Sequence, residues 1–154
     1  MSPELLSFFE QAKDLLLLES PSLENINTVN CEGENALHLA IHQNNIEIAK
    51  QLINAGINVN QPGDLGHTPL HEACSLGNLE LIKVLLDAGA DPFALTEGKP
   101  PFTLARFGGH DEVCNFLAGE MKKRQDQDPK IWIRARIKQL RTEIDRLERR
   151  LSQE

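Results

Sequence analysis

Two pairs of side chains in this sequence stand at spacings that could do chemistry. His38 and His42 are four residues apart, and His71 and Cys74 three apart, so on a helix each pair would project from one face. Imidazole and thiolate together are donors that zinc accepts. The His71–Cys74 pair could also act as base and nucleophile, provided the thiol were accessible and easily ionised. No other reactive set emerges: there is no Gly-rich phosphate loop, no Ser/His/Asp arrangement and no paired-carboxylate motif. The three cysteines, Cys31, Cys74 and Cys114, are odd in number and widely spaced, which is no disulfide framework; they read as small, partly buried thiols.

The elements that carry these residues recur along the chain. Gly33-Glu34-Asn35-Ala36-Leu37-His38-Leu39-Ala40 aligns with Gly66-His67-Thr68-Pro69-Leu70-His71-Glu72-Ala73, every pair 33 residues apart. The same offset carries Ala55-Gly56-Ile57-Asn58-Val59-Asn60 onto Ala88-Gly89-Ala90-Asp91-Pro92-Phe93, and Asn25-Ile26-Asn27 onto Asn58-Val59-Asn60. A further copy opens at Gly98-Lys99-Pro100-Pro101-Phe102-Thr103, one residue early. Thr68 can cap a helix whose first residue is Pro69, and Leu70, Ala73 and Cys74 follow at helical spacing. A second apolar helix is expected in each unit, through Ile46, Ile48, Ala49, Leu52 and Ile53, then Leu79, Leu81, Ile82, Leu85 and Leu86. Gly56 and Gly89 come where such helices need a left-handed last residue.

This period and the Thr68-Pro69-Leu70-His71 string resemble the ankyrin repeat family. The resemblance implies an all-α solenoid of about four repeats, the first and last degenerate, at about 1–29, 30–62, 63–94 and 95–121. It also implies stacked antiparallel helix pairs, turn-like fingers on one side, and a concave face that binds proteins. His38 and His71 fall at the motif histidine, whose role in the family is to hydrogen-bond between neighbouring repeats. The metal and nucleophile readings therefore recede, and no catalytic, cofactor-binding or metal-binding residue is expected. Thr103 replaces that histidine and Pro100 the capping threonine in the last unit, as a terminal repeat with a more polar outer side would allow.

Recognition in this family usually falls on variable fingertip and inner-helix positions. Here these are Cys31, Glu32, Glu34, His42 and Gln43; Asp64, Leu65, His67, Ser75 and Leu76; and Thr96, Glu97, Lys99 and Phe107. Leu65, Leu76 and Phe107 are the most informative, because surface positions rarely need large apolar groups. The acidic fingers Glu32, Glu34, Asp64 and Glu97 would favour a basic partner.

Charge divides the molecule. Residues 1–121 hold 17 acidic and 5 basic side chains, a net of −12; residues 122–154 hold 6 and 11, a net of +5. The two parts do different work or bind each other. Residues 122–129 read as a polar linker, and 130–154 as an amphipathic, coiled-coil-like helix. Its seam steps by 4, 3, 4, 3, 4 through Ile133, Ile137, Leu140, Ile144, Leu147 and Leu151. Ile137, Ile144 and Leu151 take the a positions, and Ile133, Leu140 and Leu147 the d positions. We expect this seam to be buried, against another chain or against the stack itself. A parallel homodimer would set Arg136 against Arg141 and Glu143 against Glu148. An antiparallel pair, a different helix or docking on the acidic body are the alternatives.

The sequence thus points to a protein-binding adaptor or regulatory protein, without cofactor. A second reading is a dedicated inhibitor or immunity-type protein that occludes a partner enzyme. Nucleic-acid binding through the basic helix is disfavoured by its interleaved acidic residues and its single aromatic, Trp132. The longest apolar run, at 15–18, is far short of the ~20 residues that cross a bilayer. With no basic residue before Lys13, no secretory signal is expected, so the cytoplasm is the expected compartment. Lys122-Lys123-Arg124 resembles a fragment of a nuclear signal and makes the nucleus a second one.

Overall fold

The computed structural model describes residues 1–14 and 25–152. The run at 15–18 and part of the expected first repeat lie outside the described residues. Among those described there are eight α-helices: α1 (Pro3–Ala12), α2 (Ala36–His42), α3 (Ile46–Asn54), α4 (Pro69–Leu76), α5 (Leu79–Asp87), α6 (Pro101–Phe107), α7 (Asp111–Gln127) and α8 (Ile131–Leu151). Connections of two or three residues fold α2 back on α3, α4 on α5 and α6 on α7. The pairs then stack, α4 packing on both α2 and α6, α3 on α5, and α1 on α2 and α3.

Local rules and stacking agree. The Asn45 and Asn78 side chains each accept an amide of the following helix, at 3.1 Å from Ile48 and 3.0 Å from Leu81. Gly56 and Gly89 follow α3 and α5 at φ +88° and +90°, a conformation in which a Cβ would be strained. Leu37, Ala40 and Ile41 of α2, Leu70, Ala73 and Cys74 of α4, and Leu52, Leu81, Ile82 and Leu85 of the outer helices are buried in one core. Burying each leucine or isoleucine is worth about 1.5–3 kcal/mol, and no single helix pair could bury both its faces alone.

Asparagines tie unit to unit in the same register as the repeat. Asn27 Oδ1 accepts the Asn58 amide at 2.7 Å, and Asn60 Oδ1, 33 residues further on, accepts the Asp91 amide at 2.8 Å. The first unit is also capped in the repeat manner. Ser2 and Pro3 stand where Thr68 and Pro69 stand two repeats later, and Ser2 Oγ accepts the Leu5 amide at 3.1 Å.

The C-terminal region departs from expectation. Lys122, Lys123 and Arg124 extend α7, whose helix runs on to Gln127, so much of the expected linker is helical. The break comes at Asp128, held extended at φ −136°, ψ 89° in front of Pro129. From there α8 turns back along the row of fingers. Trp132 meets Phe93 edge-to-face at 4.8 Å, in a small second core with Met121 and Ala135 that Leu95, Phe102 and Ile131 flank.

Candidate protein-binding surface

The reactive pairs resolve into structural ones. His71 is 1% exposed, and its Nδ1 accepts from the Thr68 amide at 3.1 Å and hydroxyl at 2.9 Å. Its Nε2 donates to the Lys99 carbonyl of the next finger at 3.4 Å. His38 repeats this, accepting from the Asn35 amide at 3.2 Å and donating to the His67 carbonyl at 3.3 Å. Each histidine closes the N-terminus of its own helix and clasps the next unit, so both nitrogens are occupied. Burial pulls His38 below its usual range and His71 down to about 4, so both are neutral at pH 7. Burial, with Cys114 nearby, pushes the Cys74 thiol up to about 12, which leaves it no thiolate for nucleophilic attack.

His42 belongs to a different set. Its Nε2 lies 3.5 Å from Glu72, which also meets His67 Nδ1 at 3.0 Å, while the His67 ring stacks on His71 at 5.4 Å. This links α2, α4 and the second finger on the inner side of the stack.

The remaining candidates separate into two groups. Glu32, Asp64, Leu65 and Glu97 sit at fingertips and are exposed. Leu65 and Glu97 adopt positive φ, 52° and 51°, at the turns before Gly66 and Gly98. These tips form one wall of a cleft of about 1100 Å³ whose other wall is α8, with Lys138, Arg146, Arg149 and Arg150. The acidic fingers therefore already face a basic partner, this chain's own C-terminal helix. Glu34 is not at a free tip: it is buried, and Asn30 Nδ2 donates to its carboxylate at 3.1 Å. Thr96 is buried too, its hydroxyl donating to the Gly66 carbonyl at 2.8 Å. The exposed Lys99 side chain lies 3.7 Å from Glu97.

The second group lies at the opposite end of the inner helices. His42 ends α2 with Gln43 next to it, Ser75 and Leu76 end α4, and Phe107 ends α6; all are exposed. Leu76 is 46% and Phe107 69% exposed, on neighbouring helices. The eight residues of α4 put roughly 12 Å between this end and the fingers, so Leu65 is not part of the same patch. His110 was not singled out by the sequence analysis, yet its Nε2 donates to the Ser75 carbonyl at 3.0 Å and supports this end.

A family model described as ankyrin repeats (3 copies) matches residues 8–96, more than half of the chain. The chain belongs to the ankyrin repeat family. None of the curated proteins matches it. Ankyrin repeats are in general protein–protein interaction modules and typically not enzymes. No helix among the described residues is long and apolar enough to cross a membrane.

The ankyrin stack does not cover the C-terminal seam. Burial of that seam against the stack was one of the expectations, and the structure overturns it. The buried residues of α8 are Ala135 and Gln139, on the face opposite the seam. Ile133, Ile137, Leu140, Ile144, Leu147 and Leu151 all point away, 41–72% exposed. The residues that dock α8, Trp132 and Ala135 among them, carried no periodic signal in the sequence. Small and aromatic groups scattered among arginines look like solvated surface until Phe93 is placed beneath them.

Proposed function

We propose that this protein is an adaptor or regulatory binding protein whose ankyrin stack captures a protein partner at the far end of its inner helices, with α8 serving to associate with a second chain. The observation that supports the reading is that Leu76 and Phe107 are both exposed, at the C-terminal ends of the neighbouring helices α4 and α6. Neither belongs to the hydrophobic cores or to the residues packed against them, and a solvated surface gains nothing from two large apolar groups. Gln43, Ser75 and the His42–Glu72 pair border them with hydrogen-bonding groups, the polar rim that interface centres commonly have. The fingertips are a weaker candidate, because α8 faces them.

Changing Leu76 and Phe107 together to serine tests the assignment. Affinity capture from extract of the native host should lose a partner that the unchanged chain retains, while the helical circular dichroism stays intact. If the double variant retains every partner, the surface lies elsewhere.

A further inference from the structure

The seam of α8 has regular spacing, faces outward, and sits on a helix that its own stack holds by the other side. We infer that this seam is a docking site for an amphipathic helix of a partner protein, with a Leu/Ile stripe flanked by acidic residues. The inference deepens the adaptor reading by naming the second chain's chemistry, but does not depend on what the inner helices bind.

The spacing comes first. Six branched apolar residues at alternating steps of four and three make a narrow a/d stripe, suited to one facing helix. Flanking it on one edge are Arg134, Arg141 and Glu148, and on the other Arg136, Glu143 and Arg150. Four of these six are arginines, and the first half of the seam is flanked by arginine alone. Arg134 also pairs with Asp128 and Arg150 also lines the cleft toward the fingertips, which leaves Arg136 and Arg141 as the chief basic contacts for a partner. A helix with acidic flanks meets that edge favourably; a basic one does not.

A second copy of this chain fits poorly. The parallel pairing brings Arg136 to Arg141 and Glu143 to Glu148 of the other copy. An antiparallel pairing that covers all six seam residues, Ile133 opposite Leu151 and Leu140 opposite Ile144, brings Arg136 to Arg150, and sets Arg141 and Glu143 each beside its own counterpart. Only Arg134 with Glu148 attracts. Shifting by one heptad pairs Arg141 with Glu148 and Glu143 with Arg150, but leaves Ile133 and Ile137 uncovered. The sequence-based expectation that antiparallel association escapes the like-charge penalty therefore holds only for part of the seam.

A lipid surface fits less well again. Helices that lie in a bilayer interface commonly put aromatic residues on the apolar face. Here the only aromatic residue of the helix, Trp132, packs inward on Phe93. The acidic body beneath α8, net −12, would also be repelled by anionic lipid.

The test uses the full chain and two labelled synthetic peptides, with leucine and isoleucine at a and d and either glutamate or lysine at e and g. The glutamate peptide should bind at least about tenfold more tightly than the lysine peptide. The double change Leu140→Glu, Ile144→Glu should abolish that binding, while the melting temperature and any partner of the Leu76–Phe107 surface stay unchanged. If the Leu76→Ser, Phe107→Ser variant keeps every partner and still binds the glutamate peptide, the stack reading alone has failed. The proposal is overturned if the two peptides bind equally, or if the double variant still binds the glutamate peptide. It is overturned equally if the unmodified chain sediments as a dimer that the double variant breaks, which assigns the seam to a second copy. Binding to phosphatidylglycerol vesicles that depends on Leu140 and Ile144 would assign it to lipid.

Discussion

His71 shows how one residue type can suggest chemistry and supply structure. Its ring is aligned by Thr68 and spends its remaining proton on the Lys99 carbonyl of the next unit. Truncation to alanine leaves buried polar groups without partners and should lower unfolding free energy by roughly 1–3 kcal/mol. Chelator should leave the melting temperature unchanged; a drop would restore the metal reading. Burial also makes the fold acid-sensitive. The unfolded chain takes up a proton at the usual 6.5, whereas folded His71 holds out to about 4. Its contribution is therefore complete above the higher value and is lost as pH falls between the two, on the order of 3 kcal/mol in all. Urea titrations across that window should show the loss, less steep in His71→Ala; His38, lowered in the same direction, keeps part of the slope. An equal slope in the variant would count against this account.

Among the elements, α8 is the one held by least. Its buried attachment is confined to Ala135 and Gln139, with Trp132 leaning on Phe93, and from Leu140 onward every described residue is exposed. Trp132 is the only tryptophan, so the emission reports the surroundings of this one ring, Phe93 and Gln125 among them. We expect the fluorescence to redden at lower urea than the loss of helical dichroism, because local attachments open before the packed stack. Phe93→Ala should redden it without denaturant. Coincident transitions in the unchanged protein would mean that α8 and the stack unfold as one unit.

For the whole molecule, charge separation is the organising fact. A net −12 body carries a net +5 segment along its fingers, where arginines and acidic tips face each other across a cleft. This attraction acts over a distance and should be screened. At ~1 M salt the Debye length falls to about 3 Å, and amide exchange in the second half of α8 should quicken while that of α4 and α5 stays slow. Exchange in α8 that ignores salt would show that the Trp132 contact alone holds it.

Much of this molecule was legible in its residues. The 33-residue period located α2 to α6, because capping side chains, turn glycines and apolar spacing all act locally and agree with one another. The motif histidines could be separated from metal ligands by their place in the repeat, and Leu76 and Phe107 could be marked as exposed by theirs. The heptad seam was equally visible. Its orientation was not, since a regular stripe says that a face wants cover and not whether its own chain supplies it. That choice rested on Phe93, Met121 and Trp132, residues far apart in the sequence that make a second core only when α7 runs on past its expected end. The same return of the chain turned the acidic fingertips toward α8. Glu34 is buried, with its carboxylate accepting from Asn30 and its stem close to Gly63 of the next finger, contacts that no spacing rule flagged. Periodicity is written in local order, whereas which of two amphipathic faces is covered is a competition between distant surfaces, and packing alone resolves it.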